Sequence, residues 1–405
     1  MATLLLVIIY LAFISLGLPD SLLGAAWPAM QSDLGVPLET AGFLFMMIAG
    51  GTIISSLVSG KVLKRFGTSK VTFVSVFMTA GALLGFQFAP SIAWLVLCAI
   101  PLGLGAGAVD TGLNDYVATN YKAHHMSWLH CFWGVGATLG PVIMAQFISE
   151  GTSWRNGYLT ISGIQFALVL ILLITLPLWK RVTHNNNAPT HEILETNAAR
   201  HEENNELKPL QVKGVKLALA TFLFYCGVEA TMGLWGSSFL VNVKGLSAAA
   251  AAQWVSLYYA GITVGRFITG FITFKMTNRA LIRSGQLIAA AGAIILFLPL
   301  PSIFSLVGFI IIGLGLAPIF PCMLHETPIH FGKKHSQSIM GYQMAVAYTG
   351  TTFLPPLLGL ISSYFTIGIF PVCILIFAAA MLLSTENLNR LLYKKIIGKD
   401  TSLKA

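Results

Sequence analysis

The sequence predicts an all-α membrane protein, with twelve transmembrane helices in two pseudo-symmetric six-helix bundles. Three observations carry that prediction: the composition, the number of long apolar runs, and a weak internal repeat. Of 405 residues, 56% are apolar and only 10% are charged. Soluble proteins carry about 25% charged residues, so this chain lacks the polar groups to hydrate its own surface. The mean hydropathy of +0.77 agrees. A soluble globular domain, a disordered chain and a nucleic-acid binder are excluded together.

A spanning helix needs about 20 apolar residues. Breaks at polar, charged and Gly/Pro clusters define twelve such runs, at 4–30, 38–59, 71–89, 92–119, 126–148, 154–179, 214–242, 248–272, 280–299, 302–324, 338–363 and 366–388. The first run is predicted to be a spanning helix and not a cleavable signal peptide. The first 30 residues hold no Lys or Arg, and the apolar stretch continues past any small-residue cleavage site. Residues 183–212 are rich in Asn, Glu and His without apolar periodicity, which predicts a flexible cytoplasmic linker. The expected organisation is an N-terminal bundle over 1–182, that linker, and a C-terminal bundle with a short tail over 213–405.

The net charge of +9 follows from topology. With the N-terminus placed in the cytoplasm, alternate segments hold Lys61, Lys64, Arg65, Lys70, Lys122, Lys180 through Lys216, Arg266 through Arg283, Lys333, Lys334 and the tail from Arg390. These are 22 of the 24 basic residues, leaving Arg155 and Lys244 outside. Basic residues concentrate in cytoplasmic loops, so both termini are expected there, in a multi-pass cell membrane protein of the bacterial inner-membrane type. No anionic ligand is needed to explain the charge. The five cysteines (Cys98, Cys131, Cys226, Cys322 and Cys373) lie in apolar runs with neither disulfide nor zinc spacing. No H-E-x-x-H, G-x-S-x-G or P-loop pattern occurs, and His124-His125 lacks acidic or Cys partners. The sequence therefore predicts no enzyme, no metal and no cofactor.

The halves resemble each other at an offset near 210. Gly103-Leu104-Gly105 matches Gly313-Leu314-Gly315, and Gly136 with Pro141 matches Gly350 with Pro355. Asp20, Gly24 and Trp27 in the first run parallel Glu229, Gly233 and Trp235 in the seventh. Two six-helix halves related in this way place a substrate cavity at their interface near the bilayer midplane.

Of the fifteen acidic residues most sit in loops or tails, but Asp20, Asp110, Asp115, Glu229 and Glu326 do not. A carboxylate in hydrocarbon costs at least about 2.5 kcal/mol, so such groups pair, face water or carry protons. Asp20, Asp110 and Glu229 lie in the middle third of their runs, whereas Asp115 and Glu326 lie near the cytoplasmic ends. For the three deep acids, one reading is a buried polar network that fixes helix packing. The other is a protonatable carboxylate or sugar-hydroxyl acceptor on the cavity wall, since low dielectric favours the neutral acid. A sugar also needs hydrogen-bond partners and flat aromatic faces. Asn114, His130 and Gln343 supply the first at cavity depth; Trp27, Trp133, Tyr225, Trp235 and Tyr348 supply the second. His130 and Trp133 are three residues apart, hence on one helix face, although packing alone would also account for any one of these rings.

Twelve runs, a polar central loop and basic loops after the second and eighth runs resemble the major facilitator superfamily over the whole chain. Gly60-Lys61-Val62-Leu63-Lys64-Arg65-Phe66-Gly67 resembles its G-x-x-x-D-R-x-G signature, with Lys64 where the family carries Asp. Asp110-Thr111-Gly112-Leu113-Asn114-Asp115-Tyr116-Val117 and Leu18-Pro19-Asp20-Ser21 resemble stretches of the fucose permease branch. Tyr225 through Trp235, and Gly341-Tyr342-Gln343-Met344 with Tyr348, resemble the sodium-dependent glucose transporters of the same branch. The resemblance implies the major facilitator fold, a monomer, and import of a small sugar-like solute with H⁺ or Na⁺. It further implies that Asp20 takes part in proton coupling and that Asp110, His130 and Trp133 line the cavity. Gly136 through Pro141 resembles the G-x-x-x-G-P motif of drug/proton antiporters, but Met144 and Ala145 replace the Gly-Gly that follows there. A packing and bending role is preferred for it. An exporter of drugs, lipids or siderophores is the alternative function; an integral-membrane enzyme and a non-transporting nutrient sensor are disfavoured.

Overall fold

The computed structural model describes residues 2–185 and 209–402, apart from 122, 150, 152 and 274. Twelve helical spans occur among them. Spans one to six are Thr3–Leu34, Thr40–Phe66, Thr68–Gln87, Ile92–Val117, Trp128–Ser149 and Trp154–Trp179. Spans seven to twelve are Val215–Asn242, Ala248–Ile272, Asn278–Phe297, Ser302–Phe331, Ser338–Tyr364 and Ile367–Leu392. Each apolar run thus becomes a helix, because in hydrocarbon the backbone can satisfy its polar groups only within the segment itself. Most of the expected linker, 186–208, lies outside the described residues.

Two features differ from the sequence reading. The Gly60–Gly67 signature is not a loop: Gly60 to Phe66 form the last turns of span two, and Gly67, at φ +80°, turns the chain straight into span three. Lys61, Lys64 and Arg65 are exposed on that helix end, where cations complement the terminal carbonyls. Arg266, counted above with a basic loop, lies inside span eight, six residues short of its end.

Span one is broken at its centre, into Ala2–Asp20 and Leu22–Leu34. Pro19 has no N–H to offer the carbonyl of Ser15, which would otherwise be left bare. Gln165 of span six donates to that carbonyl at 2.8 Å and accepts from Thr79 of span three at 2.8 Å. The break therefore rests on a fully buried bridge between three helices. Span ten is likewise broken, between Leu316 and Ile319 beside Pro318.

Small residues set the packing in both halves in the same way. Gly103 of span four meets the Ile48 carbonyl of span two, and Gly313 of span ten meets the Tyr258 carbonyl of span eight. Gly105 packs on Ser75 and Thr79 of span three; Gly315 packs on Gly285 and Ala289 of span nine. Gly136 of span five abuts Ile14 of span one, and Gly350 of span eleven abuts Leu223 of span seven. The repeated glycines thus make the same helix pairings twice. Without a hydrophobic drive between helices in lipid, such close backbone approach supplies the dispersion that holds them.

The halves meet mainly on the side away from the termini. Gly24 lies against the Gly233 carbonyl, Gly42 against Pro356, and Ala25, Ala145 and Ala252 form one apolar cluster. Ser237 donates to the Ala25 carbonyl at 3.4 Å. At mid-depth Gly134 abuts Thr263. On the side carrying both termini, spans four and five do not pack extensively against spans ten and eleven. Asp20 and His130 are exposed at this depth, so the space between the halves is open toward the termini and sealed on the far side.

Two outcomes follow. Gly103→Val and Gly313→Val should each destabilise the protein by about 1–3 kcal/mol, the usual range for overpacking. This would be read as a lower melting temperature in detergent. Gly163→Ala, where a Cβ meets open space, should leave it unchanged. In a background without the five native cysteines, His130→Cys should react rapidly with a charged thiol reagent and Ser237→Cys should stay protected. Equal labelling of both would contradict the one-sided opening.

Candidate substrate and coupling site

Close helix approach places the first acid. Gly17 leaves no room for a Cβ beside the Trp133 carbonyl, and Gly136 and Gly140 sit equally tightly on the Ile14 and Leu18 carbonyls. The G-x-x-x-G-P segment is thereby a packing face between spans one and five. It brings the Trp133 indole N–H to Asp20 Oδ2 at 2.7 Å, where it donates to the carboxyl. Asp20 ends the first half of span one. Its own helix terminus disfavours negative charge there, and the indole donor compensates.

On its ring face, Trp133 receives Arg266, whose guanidinium carbon lies 5.4 Å from the ring centroid. Arg266 Nη2 lies 3.5 Å from Glu229 Oε1, and both side chains keep partial exposure, 15% and 20%. Tyr259 meets Trp133 edge-on at 6.5 Å, Tyr225 lies beside the ion pair, and Tyr258 donates to the Glu229 carbonyl at 3.2 Å. A continuous path therefore runs Asp20–Trp133–Arg266–Glu229 through spans one, five, eight and seven, crossing from one half to the other. A desolvated cation–π contact contributes about 2 kcal/mol, so Trp133 is a substantial tie between the halves.

The second acid is held differently. Asp110 is half-buried, and its Oδ1 accepts from Asn114 Nδ2 at 2.9 Å, one turn along span four. Tyr348 of span eleven approaches Asp110 and Ser56 from the opposite half. His130 is exposed and meets Phe13 edge-on at 6.0 Å.

Several residues expected on the cavity wall are elsewhere in this conformation. Trp27 is fully buried in the core. Trp235 is equally buried, packs on Gly359, and donates its N–H to the Pro355 carbonyl at 2.7 Å. Tyr225 is 1% exposed. Gln343 accepts from Thr327 at 3.0 Å and lines a separate small cavity inside the second half, with Glu326 and His330. There Glu326 pairs with His330 at 3.0 Å and accepts from Asn278 at 3.0 Å. Trp27 and Trp235 are buried in the packing of the sealed outer side, whereas Gln343 is buried within the second half, near the terminus-bearing ends of spans ten and eleven. Glu229 is not a free carboxylate but half of an ion pair.

Arg266, which joins this cluster, was counted with a basic loop in the sequence. Its signal was present: it interrupts an apolar run, and it follows Tyr259 and Thr263 at helical spacing on one face. No group of His, Cys, Asp and Glu suited to a metal occurs among the described residues.

Comparison with known proteins places this architecture. The chain is 23% identical over 384 residues to bypass of stop codon protein 6 of Saccharomyces cerevisiae, covering 88% of this chain and 76% of that protein. It is 24% identical over 357 residues to the glucose/mannose transporter GlcP of Bacillus subtilis, covering 86% of each. Its fold is similar to the crystal structure of a D-xylose–proton symporter, with a TM-score of 0.73, 13% identity, and 96% and 97% of the two chains covered. The description of the Major Facilitator Superfamily matches residues 9–346. With twelve spans and the same fold, the chain is a member of the Major Facilitator Superfamily, a membrane transporter and not an enzyme.

Proposed function

We propose that this protein is a secondary active transporter that carries a monosaccharide together with a cation, the proton favoured over sodium, by alternating access. The observation that carries the reading is Asp20: a carboxyl group at the centre of span one, exposed between the halves and held by the Trp133 N–H. Such a group can gain and lose a proton from whichever side the cavity faces. The glucose/mannose transporter among the relatives supports a sugar as solute. The short stretches around Asp20 and Asp110 support the fucose permease branch.

In this reading Asp20 and Asp110 handle the proton, while Asn114, His130, Trp133 and Tyr348 meet the solute. Trp27 and Trp235 support the walls and reach the solute only once the outer seam has parted, while Tyr225 and Gln343 support the wall from within the second half. Protonation and sugar binding together favour the occluded form, and deprotonation toward the other side releases the load. The excess of Lys and Arg on the terminus-bearing side supports a cytoplasmic location for both ends. The conformation described above is then inward-open, in a monomer of the bacterial inner-membrane type.

The test is uptake into proteoliposomes of radiolabelled hexoses, deoxyhexoses and amino sugars under imposed proton or sodium gradients. One sugar accumulating under one gradient is the expected result. Asp110→Asn should abolish coupled accumulation, and active transport at the wild-type level in that variant would remove Asp110 from the mechanism. If no sugar moves in folded protein under either gradient, the exporter becomes the better reading.

A further inference from the structure

Resting on the sugar-transport reading, we infer that the solute carries a carboxylate, as a uronic or aldonic acid does, and that Arg266 binds it. An arginine in a membrane span needs a standing reason, because its burial is expensive and its charge cannot be discarded. Its only charged partner in an ion pair among the described residues, Glu229, is a poor fit. Charge-assisted N–H···O bonds run to about 2.7–2.9 Å and Arg–carboxylate pairs favour a two-pronged geometry. Here a single Nη2 reaches a single oxygen at 3.5 Å. A guanidinium has five N–H donors, and both members of the pair retain accessible surface. Tyr225 and Glu229 each engage one donor, so the group is positioned by these two and by the Trp133 ring while the rest of its fork faces the open space. The side chains beside it, His130 and Trp133, border the open space that holds Asp20.

The chemistry closes on charge. In the empty carrier Arg266 is balanced by Glu229. When the solute carboxylate takes the remaining donors of the guanidinium fork, Glu229 keeps its contact with Nη2, and the added negative charge is balanced by the proton that Asp20 carries in the proposed cycle. The set Arg⁺/Glu⁻/Asp20⁻ becomes Arg⁺/Glu⁻/solute⁻ with a proton on Asp20, so one proton and one anion enter together. The groups facing this exchange are Asp20 of span one, His130 and Cys131 of span five, Tyr225 and Cys226 of span seven, and Tyr258 and Tyr259 of span eight. Among these the acid is Asp20, exposed between the halves and held by the Trp133 N–H. A neutral sugar would also accept from Arg266 through its hydroxyls, but without the charge and the two-pronged fit that make a carboxylate the stronger partner.

The experiment compares matched pairs in proteoliposomes under an imposed proton gradient: glucuronate against glucose, and galacturonate against galactose. At least tenfold greater accumulation of an acid than of its neutral partner is expected. Arg266→Lys should keep part of that preference. The charge-neutral double variant Arg266→Gln with Glu229→Gln should reduce it at least tenfold. Neutral sugars accumulating while the acids do not would overturn this inference and leave the sugar-transport reading standing; movement of neither class would overturn both. An undiminished preference in the folded double variant would overturn the role of Arg266. Should that variant not insert, the wild-type panel together with Arg266→Lys still decides.

Discussion

A guanidinium cannot stand bare in hydrocarbon, and the arrangement at the centre of this protein follows from that constraint. Arg266 is compensated from two directions, by the Glu229 carboxylate on span seven and by the face of the Trp133 ring on span five. Because spans seven and eight belong to one half and span five to the other, compensating one charge also joins the halves. The same indole uses its N–H on Asp20. Any shift of Trp133 therefore changes the surroundings of Asp20 and Arg266 together, which is the physical requirement for linking an ion to a solute.

That linkage depends on how closely helices one and five approach. Gly17, Gly136 and Gly140 remove the side chains that would hold them apart. Further along the bundle, Pro19 interrupts span one beside Asp20, and Gln165 supplies the hydrogen bond that the interruption leaves missing. Broken helices at membrane depth are tolerated only where neighbours or cavity water complete the backbone. The first condition holds here through Gln165, so the break is a positioned element of the site and not a defect.

Much of this was legible in the sequence. Hydropathy alone separates twelve spans, because hydrocarbon forces each polar backbone group into a helix. The paired glycines at an offset near 210 reveal the repeat, because helix packing in lipid needs small residues at fixed places. Asp20, Asp110 and Glu229 stand out because acids are rare in such runs. The facing of the aromatics was not legible: Trp27 and Trp235 are as conspicuous as Trp133, yet they are buried in the sealed outer packing. Which face of a helix meets the cavity depends on its neighbours, and periodicity does not name them. Arg266 was hidden for another reason. A basic residue near the end of a run reads as topology until its partner Glu229, 37 positions away, is seen beside it.

The character of the seam between the halves bears on how such a molecule switches. Among the described residues no ion pair joins the two halves: Arg155 with Asp33 lies within the first, and the pairs of Glu229, Glu326 and Glu386 lie within the second. What crosses includes close contact of Gly24 with Gly233, Gly42 with Pro356 and Gly134 with Thr263, the Ser237 hydrogen bond at 3.4 Å, the approach of Tyr348 to Ser56 and Asp110, and the contacts of Trp133 with Arg266 and Tyr259. A typical hydrogen bond contributes about 0.5–1.5 kcal/mol net, and a buried cation–π contact about 2 kcal/mol. Moving a two-state equilibrium from 1:99 to 99:1 requires about 5.5 kcal/mol of differential binding. Contacts of the first size can be overcome by a solute and a proton acting together, whereas several buried salt bridges across the seam could not. The strong electrostatics are kept within each half, where they survive the motion, and the weaker contacts are left where the halves must part.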